Sequence, residues 1–225
     1  MTTDVWYGRV LPHAATGYER GFIDCYQEAF AGEPYFEHYS YEEVHEEVWV
    51  PHLKDGVIII AQEQGIVGFG CALPLDKSPA DVQEFLSRRA AEGELPADFN
   101  HRGSWYMSEL GVRDDTRLRR RGLGYELVRH RMISLVHSGA DQYFMRTDAT
   151  SSNSIHLYER IGAKRLSETQ DMSSSSQVKD NGSKSESRVY LWGNCDEALS
   201  AIGKIQSEHG YIPYGPQDLE DLGED

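Results

Sequence analysis

The chain has 225 residues, of which 39% are hydrophobic and 26% are charged, a composition typical of one globular domain with a full core. Its net charge of −15 disfavours nucleic acid as a partner, because phosphate binding requires a broad basic surface. No apolar run reaches bilayer length, and the first residues lack the basic and apolar segments of a secretion signal. Three cysteines, far apart and odd in number, favour reduced thiols in a cytoplasmic protein and predict neither disulfides nor a metal site.

The first third of the chain predicts two helices and three strands. Ser40 followed by Glu43 is a capping-box pattern, and Thr16 precedes a helical stretch with one apolar face, so each begins a helix. Turn residues at 54–56 and 64–65 bracket two apolar runs, which predicts a hairpin. In chain order these elements are a strand at 6–10, a helix at 16–30, a helix at 40–50, and strands at 57–62 and 66–73.

The remaining elements alternate between strand and helix and are a strand at 104–112, a helix at 125–136, a strand at 142–147, a helix at 153–161 and a strand at 188–192. Residues 74–103, with a helix at 79–91, are interpreted as an insertion at the edge of the domain. The polar segment 172–187 predicts a mobile loop, and the acidic segment 211–225 a weakly ordered tail. The pattern predicts an α/β fold for residues 1–210, with a mixed central sheet flanked by helices on both faces.

A loop rich in arginine and glycine joins the strand at 104–112 to the next helix. Gly122 and Gly124 let the backbone come close to a ligand, and the unpaired N–H groups of a helix start carry the positive end of its dipole. Arginine side chains add charge-assisted hydrogen bonds. The loop therefore predicts a phosphate-binding site, and a solvated turn is the alternative.

The residues of this loop resemble the acetyl-CoA loop of the GNAT N-acetyltransferase superfamily, whose pattern is Arg/Gln-x-x-Gly-x-Gly/Ala after a central strand. Here residues 119–124 read Arg-Arg-Arg-Gly-Leu-Gly. Residues 109–112, Glu-Leu-Gly-Val, look like the end of the family's fourth strand, and residues 157–163 look like its Leu-Tyr-Glu-x-x-Gly-Phe/Ala helix end. The resemblance covers about residues 105–166 and implies the GNAT fold and transfer of acetyl from acetyl-CoA to an amine.

The resemblance also implies which residues hold acetyl-CoA. In the family, a bulge in the fourth strand presents backbone N–H groups to the pantetheine arm and the thioester carbonyl, and Leu110, Gly111 and Val112 occupy that place. Gly111 suits a bulge, although a packing glycine is the alternative. The family's cofactor-binding asparagine falls at the offset of Ser151 here, so Asn153 is the candidate only if the loop is shortened. The loop contacts expected for the diphosphate are Arg117, Arg119, Arg120, Arg121, Gly122, Leu123, Gly124 and Tyr125.

Two residues are predicted to carry the proton transfers. Tyr158 matches the family's tyrosine, which protonates the departing thiolate; the alternative is an aromatic residue of the core. Glu109, at the mouth of the predicted site, is the candidate base for the ammonium proton, because partial burial raises a carboxyl pKa; the alternative is a structural acid.

In the family the first two helices and the loop between them build the acceptor side, so the resemblance implies an acceptor side between Glu19 and Glu47, where nine carboxylates and one arginine are mixed with aromatic residues. Charge pairing and cation–π contacts there suit a polyamine, an amino sugar or a basic peptide, whereas a solvated acidic helix face is the alternative. The predicted acceptor contacts are Glu33, Tyr35, Phe36 and Glu109. The expected reaction is direct attack by a small-molecule cationic amine, with no covalent intermediate and no nucleic-acid or membrane partner.

Two other functions and one assembly state stay open. A protein or peptide acetyltransferase would use the acidic face to receive lysine-rich segments. A CoA-binding regulatory module without turnover is the alternative outside the enzyme class. The sequence leaves the oligomeric state open, with a homodimer among the outcomes.

Overall fold

The computed structural model describes residues 5–32, 35–95, 99, 102–113, 122–171 and 187–208. Several sequence predictions therefore lie outside the described residues. They are the tail at 211–225, the predicted mobile loop except for Ser187, Glu33, and the four loop arginines Arg117, Arg119, Arg120 and Arg121.

The strands form one mixed sheet in which every neighbouring pair is antiparallel except β4 and β5, which are parallel. This arrangement confirms the predicted mixed sheet and the predicted hairpin between β2 and β3. Across the sheet the order is β1 (Trp6–Arg9), β2 (Val57–Gln62), β3 (Ile66–Pro74), β4 (Ser104–Val112), β5 (Gln142–Asp148), β8 (Ser187–Asn194) and β6 (Lys164–Arg165), with β7 (Gln170–Asp171) also paired to β8.

Helices cover both faces, as predicted. In chain order they are α1 (Glu19–Ala31), α2 (Tyr41–Val44), α3 (Val50–Asp55), α4 (Ala80–Ala91), α5 (Leu123–His137), α6 (Ser152–Arg160) and α7 (Cys195–Glu208). The predicted capping box is present, since Ser40 Oγ accepts from the Glu43 N–H and the Glu43 carboxylate accepts from the Ser40 N–H.

Two helix predictions need correction. Helix α1 begins at Glu19 without a side-chain cap, because Thr16 lies in a preceding 3-10 turn. The predicted second helix does not end at residue 50 but passes through a π-helical turn, His45–Trp49, into α3. Pro51 is in the first turn of α3, and the wider π turn accommodates a ring that cannot follow a regular α-helical turn.

Helix α7 was missed by the sequence analysis although its pattern was visible. Its buried residues Cys195, Ala198, Ile202 and Gln206 recur at helical spacing. The side chain of Asn194 caps it by accepting from the N–H groups of Asp196 and Glu197.

The sheet separates two cores. Helices α5, α6 and α7 pack on one face, here called the back face, where the largest buried cluster includes Leu127, Met132 and Tyr158. On the opposite, front face, α1, the π turn and α3 cover β2 and β3. Helix α4 covers β4, β5 and β8 on the front through Phe85, which stacks on Tyr190 at 4.3 Å. The segment predicted at the domain edge thus places its helix on the face of the sheet, because its apolar side covers buried rings there.

Strands β4 and β5 part halfway along their length. Their parallel pairing runs from Ser104–Gln142 to Met107–Met145 and then stops, although both strands continue. At the same point the β3–β4 register shifts by one residue, so that Met107 and Ser108 together oppose Ala72. The β4 bulge therefore lies at residues 107–108, not at 110–112 as the sequence resemblance implied, and Leu110 to Val112 keep regular pairing with β3.

Gly111 is a packing glycine, which was the alternative kept open in the sequence analysis. A Cβ at this position would lie 2.4 Å from Cζ of Phe69 and 3.0 Å from Cβ of Ala29, so the absent side chain lets α1 pack closely on β4.

We expect Gly111→Ala to lower the free energy of unfolding by about 1–3 kcal/mol, because the Phe69 ring must leave its place in the front core. Chemical denaturation measures the change. Gly203→Ala in α7 is the matched control: nothing lies within 4 Å of its Cβ position, and the gain in helix propensity should leave stability equal or higher. Equal effects of the two substitutions would contradict this account of Gly111.

Candidate active site

A cavity of about 170 Å³ lies where β4 and β5 diverge. The strand segments at and beyond the last β4–β5 pair line one side of it, and α1 and the chain that follows it form one wall. Tyr158 reaches it from the back face through the gap between the strands. The residues that line the cavity include Tyr26, Phe30, Tyr35, Glu37, Tyr39, Ser108, Glu109, Leu110, Arg146, Asp148, Ser154, Tyr158 and Arg188.

The bulge in β4 brings two consecutive side chains to the front face. Strand residues normally alternate, yet Ser108 bonds to His52 of α3 and Glu109 bonds to Tyr26 of α1, both in front-face helices. Met107 and Leu110, on either side, pack in the back core. The extra residue of the bulge thus turns Glu109 into the cavity.

The backbone of β4 presents polar groups to the gap. The Arg113 N–H donates to the Val67 carbonyl at 2.9 Å, which makes this a hydrogen-bonded pair of the antiparallel ladder. Such pairs alternate along the strands, so Gly111 also bonds to β3, whereas Leu110 and Val112 point their N–H groups away from it. Those two groups therefore face the side from which β5 has withdrawn.

Glu109 is a carboxylate with an altered acidity. Burial raises its pKa from 4.5 to about 7, opposed by the Tyr26 hydroxyl, which donates to Oε2 at 3.2 Å, and by the charges of Arg146 and Arg131. Near neutral pH such a group both accepts and releases a proton readily.

Tyr158 is buried, and its hydroxyl is held by a residue that the sequence analysis did not identify. The guanidinium of Arg131 in α5 donates to Tyr158 Oη at 2.5 Å. Burial raises the pKa of Tyr158, while the charge of Arg131 and this hydrogen bond lower it. In the sequence Arg131 is one of several charged residues within α5, so helical spacing alone gave no reason to place it inside.

Ser108 and His52 form a second pair that the sequence analysis missed. His52 Nδ1 lies 2.6 Å from the Val48 carbonyl, so Nδ1 carries a proton. Burial lowers the pKa of His52 to about 4, which keeps the ring neutral at pH 7 and leaves Nε2 as an acceptor. Ser108 Oγ therefore donates to Nε2, over 2.6 Å, and turns its lone pairs to other partners.

The start of α5 has the features of an anion site. Gly122 is the N-cap residue with φ of 75°, a left-handed conformation that favours glycine, and as a glycine it supplies no side-chain cap to the helix. The N–H groups of Leu123, Gly124 and Tyr125 are the first of the helix. A Cβ on Gly124 would lie 3.3 Å from Leu157, so this glycine also lets α5 approach α6 closely.

The acceptor wall predicted from the sequence is only partly present at the cavity. Tyr35 lines it, with its ring 5.0 Å from that of Phe30, but Phe36 is 40% exposed and is not a lining residue. Residues that the sequence analysis did not select, Tyr26, Glu37 and Tyr39, complete the wall. The hydroxyl of Tyr39 donates to Glu37 Oε2.

The opposite wall is charged but internally paired. Arg146 on β5 donates to Asp81 of α4 and to Gln170, and Arg188 on β8 donates to Asp148 at 2.9 Å. Glu37 and Glu109 are the lining carboxylates that lie among the aromatic rings of the acceptor wall. Asn153 is exposed on the first turn of α6, where its neighbour Ser154 lines the cavity instead.

The described part of the chain contains no group of three or more His, Cys, Asp or Glu residues arranged to hold a metal ion. It also contains no helix with the length and apolarity needed to cross a bilayer.

Comparisons with known proteins identify the class to which this fold and site belong. Residues 18–163, more than half of the chain, match the model of the acetyltransferase (GNAT) family. The chain belongs to this family and is an acetyl-CoA-dependent N-acetyltransferase, which confirms the enzyme class and the acyl donor that the sequence resemblance implied. A comparison with curated proteins found no match.

Solved structures share the fold at low sequence identity. The ribosomal-protein-S18-alanine N-acetyltransferase of Escherichia coli has a TM-score of 0.56 and 13% identity over 85% of this chain and 94% of its own. An N-acetyltransferase of Staphylococcus aureus has a TM-score of 0.57 and 12% identity over 86% of this chain and 99% of its own. The acetyltransferase yncA of Salmonella typhimurium was solved with its cofactor acetyl-CoA. It has a TM-score of 0.55 and 11% identity over 86% of this chain and 95% of its own.

We expect Glu109→Gln to stabilise the protein above pH 7. The folded-state pKa of Glu109 is higher than the unfolded value, so the wild type loses stability as pH rises from about 4.5 through 7, and the amide avoids that loss. The difference should be near zero at pH 4.5 and reach about 1–3 kcal/mol at pH 8. Thermal unfolding across this pH range measures it. Glu159→Gln, on the exposed side of α6, is the control for loss of one charge, and a pH-independent difference would contradict the prediction.

Proposed function

We propose that the protein transfers acetyl from acetyl-CoA directly to the primary amine of a small cationic molecule, with Glu109 as general base and Tyr158 as general acid. The observation that carries this proposal is the position of both groups on one cavity at the parting of β4 and β5. One reaches the cavity from the front face and the other from the back face, so a thioester in the gap would lie between them.

Two features support a mode of acetyl-CoA binding. The start of α5, where the N-cap residue Gly122 has no side chain, offers N–H groups and a positive dipole end to the diphosphate. The N–H groups of Leu110 and Val112 face the gap, where they would bind the pantetheine amide and the thioester carbonyl. A donor aimed at the carbonyl oxygen stabilises the negative charge that develops there during attack.

The chemistry needs two proton transfers around one exchange of bonds. The neutral amine forms its C–N bond at the thioester carbonyl, and the C–S bond then breaks. Glu109 takes the proton that the ammonium or the attacking nitrogen must lose, for which a pKa of about 7 is suitable. Tyr158 gives its proton to the departing thiolate and regains one from solvent or from the base.

The acceptor wall favours a cation. Four aromatic rings on this wall, those of Tyr26, Phe30, Tyr35 and Tyr39, line the cavity together with Glu37 and Glu109. Rings and carboxylates together attract ammonium groups by cation–π contact and charge pairing. The same surface suits the lysine or the N-terminus of a peptide, so a protein or peptide acceptor is the second candidate.

A panel of amines tests the choice of acceptor. We expect kcat/KM to be highest for polyamines and amino sugars and lower for peptides that carry a free N-terminus or an internal lysine. Thiol release from acetyl-CoA, with product mass by spectrometry, measures this. Activity confined to peptides would overturn the small-molecule assignment. Calorimetric binding of CoA without thiol release for any amine would support the non-catalytic module instead.

We expect Glu109→Gln to lower kcat/KM by about 10²–10⁴-fold at pH 8 and to abolish the acid limb of the pH profile. In the wild type, kcat/KM should fall about tenfold per pH unit below about pH 7, because the base becomes protonated. Glu37→Gln is the control on the same wall, and we expect it to raise KM for cationic acceptors while keeping that limb. An unchanged profile in Glu109→Gln would exclude Glu109 as the base.

A further inference from the structure

A buried arginine, Arg131, lies between α5 and the sheet. The side chain of Arg131 is 0% exposed and extends from α5 along the back face of β3. Gly70 makes room for it, since a Cβ at residue 70 would lie 2.8 Å from both Cδ and Nε of Arg131. The side chain therefore has a fitted path across the sheet.

Three oxygens receive the hydrogen bonds of its guanidinium. One terminal nitrogen donates to the carbonyls of Cys71 and Glu109, at 3.1 and 2.7 Å, and the other donates to Tyr158 Oη at 2.5 Å. Its Nε has no partner, and among the described residues no carboxylate lies within ion-pair distance of the guanidinium.

A contribution to stability does not explain why an arginine is buried at this position. A buried charge without a carboxylate partner is costly, and apolar residues of similar volume are usually at least as stable in such a place. The neighbours of Arg131 on the buried side of α5 are Leu127, Val128 and Leu135, so an apolar residue would suit this core. The contacts of the guanidinium must supply another reason for its position.

We propose that Arg131 is the positioning residue of the leaving-group acid, an inference that rests on the proposed role of Tyr158. A guanidinium only donates, so Tyr158 Oη accepts from it and keeps its own proton for a different partner. In the cavity that partner is the sulfur of the departing thiolate. As the proton leaves, the phenolate charge develops beside a fixed cation that needs no rearrangement.

The same guanidinium also reaches the base side of the cavity. Its bond to the Glu109 carbonyl polarises the peptide group whose N–H belongs to Leu110. That N–H is one of the two that face the gap. Arg131 thus supports the donor to the thioester carbonyl and the acid for the thiolate from one buried position.

A double-mutant cycle tests the proposal. We expect Arg131→Met to lower kcat about 10- to 100-fold in the wild-type background and less than threefold in the Tyr158→Phe background. The reason is that removing the hydroxyl also removes the main group through which Arg131 acts. Arg129→Met is the matched control, because it removes a cation from the same helix without contact to Tyr158, and kcat should stay within twofold.

The pH dependence of kcat and the kcat of a conservative variant are two further measurements. A purely structural role of Arg131 would change neither in the way expected here. Without Arg131 the remaining influences on Tyr158, burial and the neighbouring Tyr35, both raise its pKa, so the alkaline limb of kcat should move to higher pH. Arg131→Lys keeps the charge and should recover part of kcat. If Arg131→Met does not fold, the same cycle with Arg131→Lys replaces it, with a smaller loss that again disappears in Tyr158→Phe.

The outcomes separate this inference from the proposed function. Equal losses from Arg131→Met in both backgrounds, with a slow Tyr158→Phe enzyme, would overturn the role of Arg131 alone. Full kcat in Tyr158→Phe would overturn the acid assignment and this inference together. Melting temperature and calorimetric affinity for acetyl-CoA are measured for each variant, and a loss of kcat that simply follows a loss of either one also overturns the inference.

Discussion

The structure of the site depends on the parting of β4 and β5 after the Met107–Met145 pair. Beyond that point no strand among the described residues pairs with β4 on the β5 side, which leaves N–H donors facing a gap, and through this gap Tyr158 reaches the front cavity. The bulge at Met107 and Ser108 adds one residue to β4, so that the side chain of Glu109 lies on the face of the sheet that carries the same cavity. One irregularity of pairing thus brings together a backbone donor, a carboxylate and a phenol.

Two charged groups around this gap lower the stability of the folded protein, which is typical of functional sites. Burial raises the pKa of Glu109, so its ionised form opposes folding. Arg131 keeps a charge inside the sheet–helix interface without a carboxylate partner among the described residues. The proposed roles give these two charges a common reason, because each acts on a proton transfer or on a donor at the thioester.

Local patterns predicted most of the strands and helices. The hairpin of β2 and β3 and the capping box of α2 depend on neighbours in sequence, and both are present. Helix α7 was missed, although its buried residues have helical spacing. Motif resemblance selected Glu109 and Tyr158, which share the cavity, but it did not find His52, Arg131 or Tyr39.

The sequence by itself determined the family, the fold class and the acyl donor, because a glycine-rich motif and its flanking segments are contiguous in the chain. Tertiary structure decided which side chains meet. The partners Arg131 and Tyr158 are 27 residues apart and Tyr26 and Glu109 are 83 apart, so only the packed helices bring them together. The location of the bulge was also a tertiary outcome, since it depends on how β3 and β4 pair and not on the glycine at residue 111.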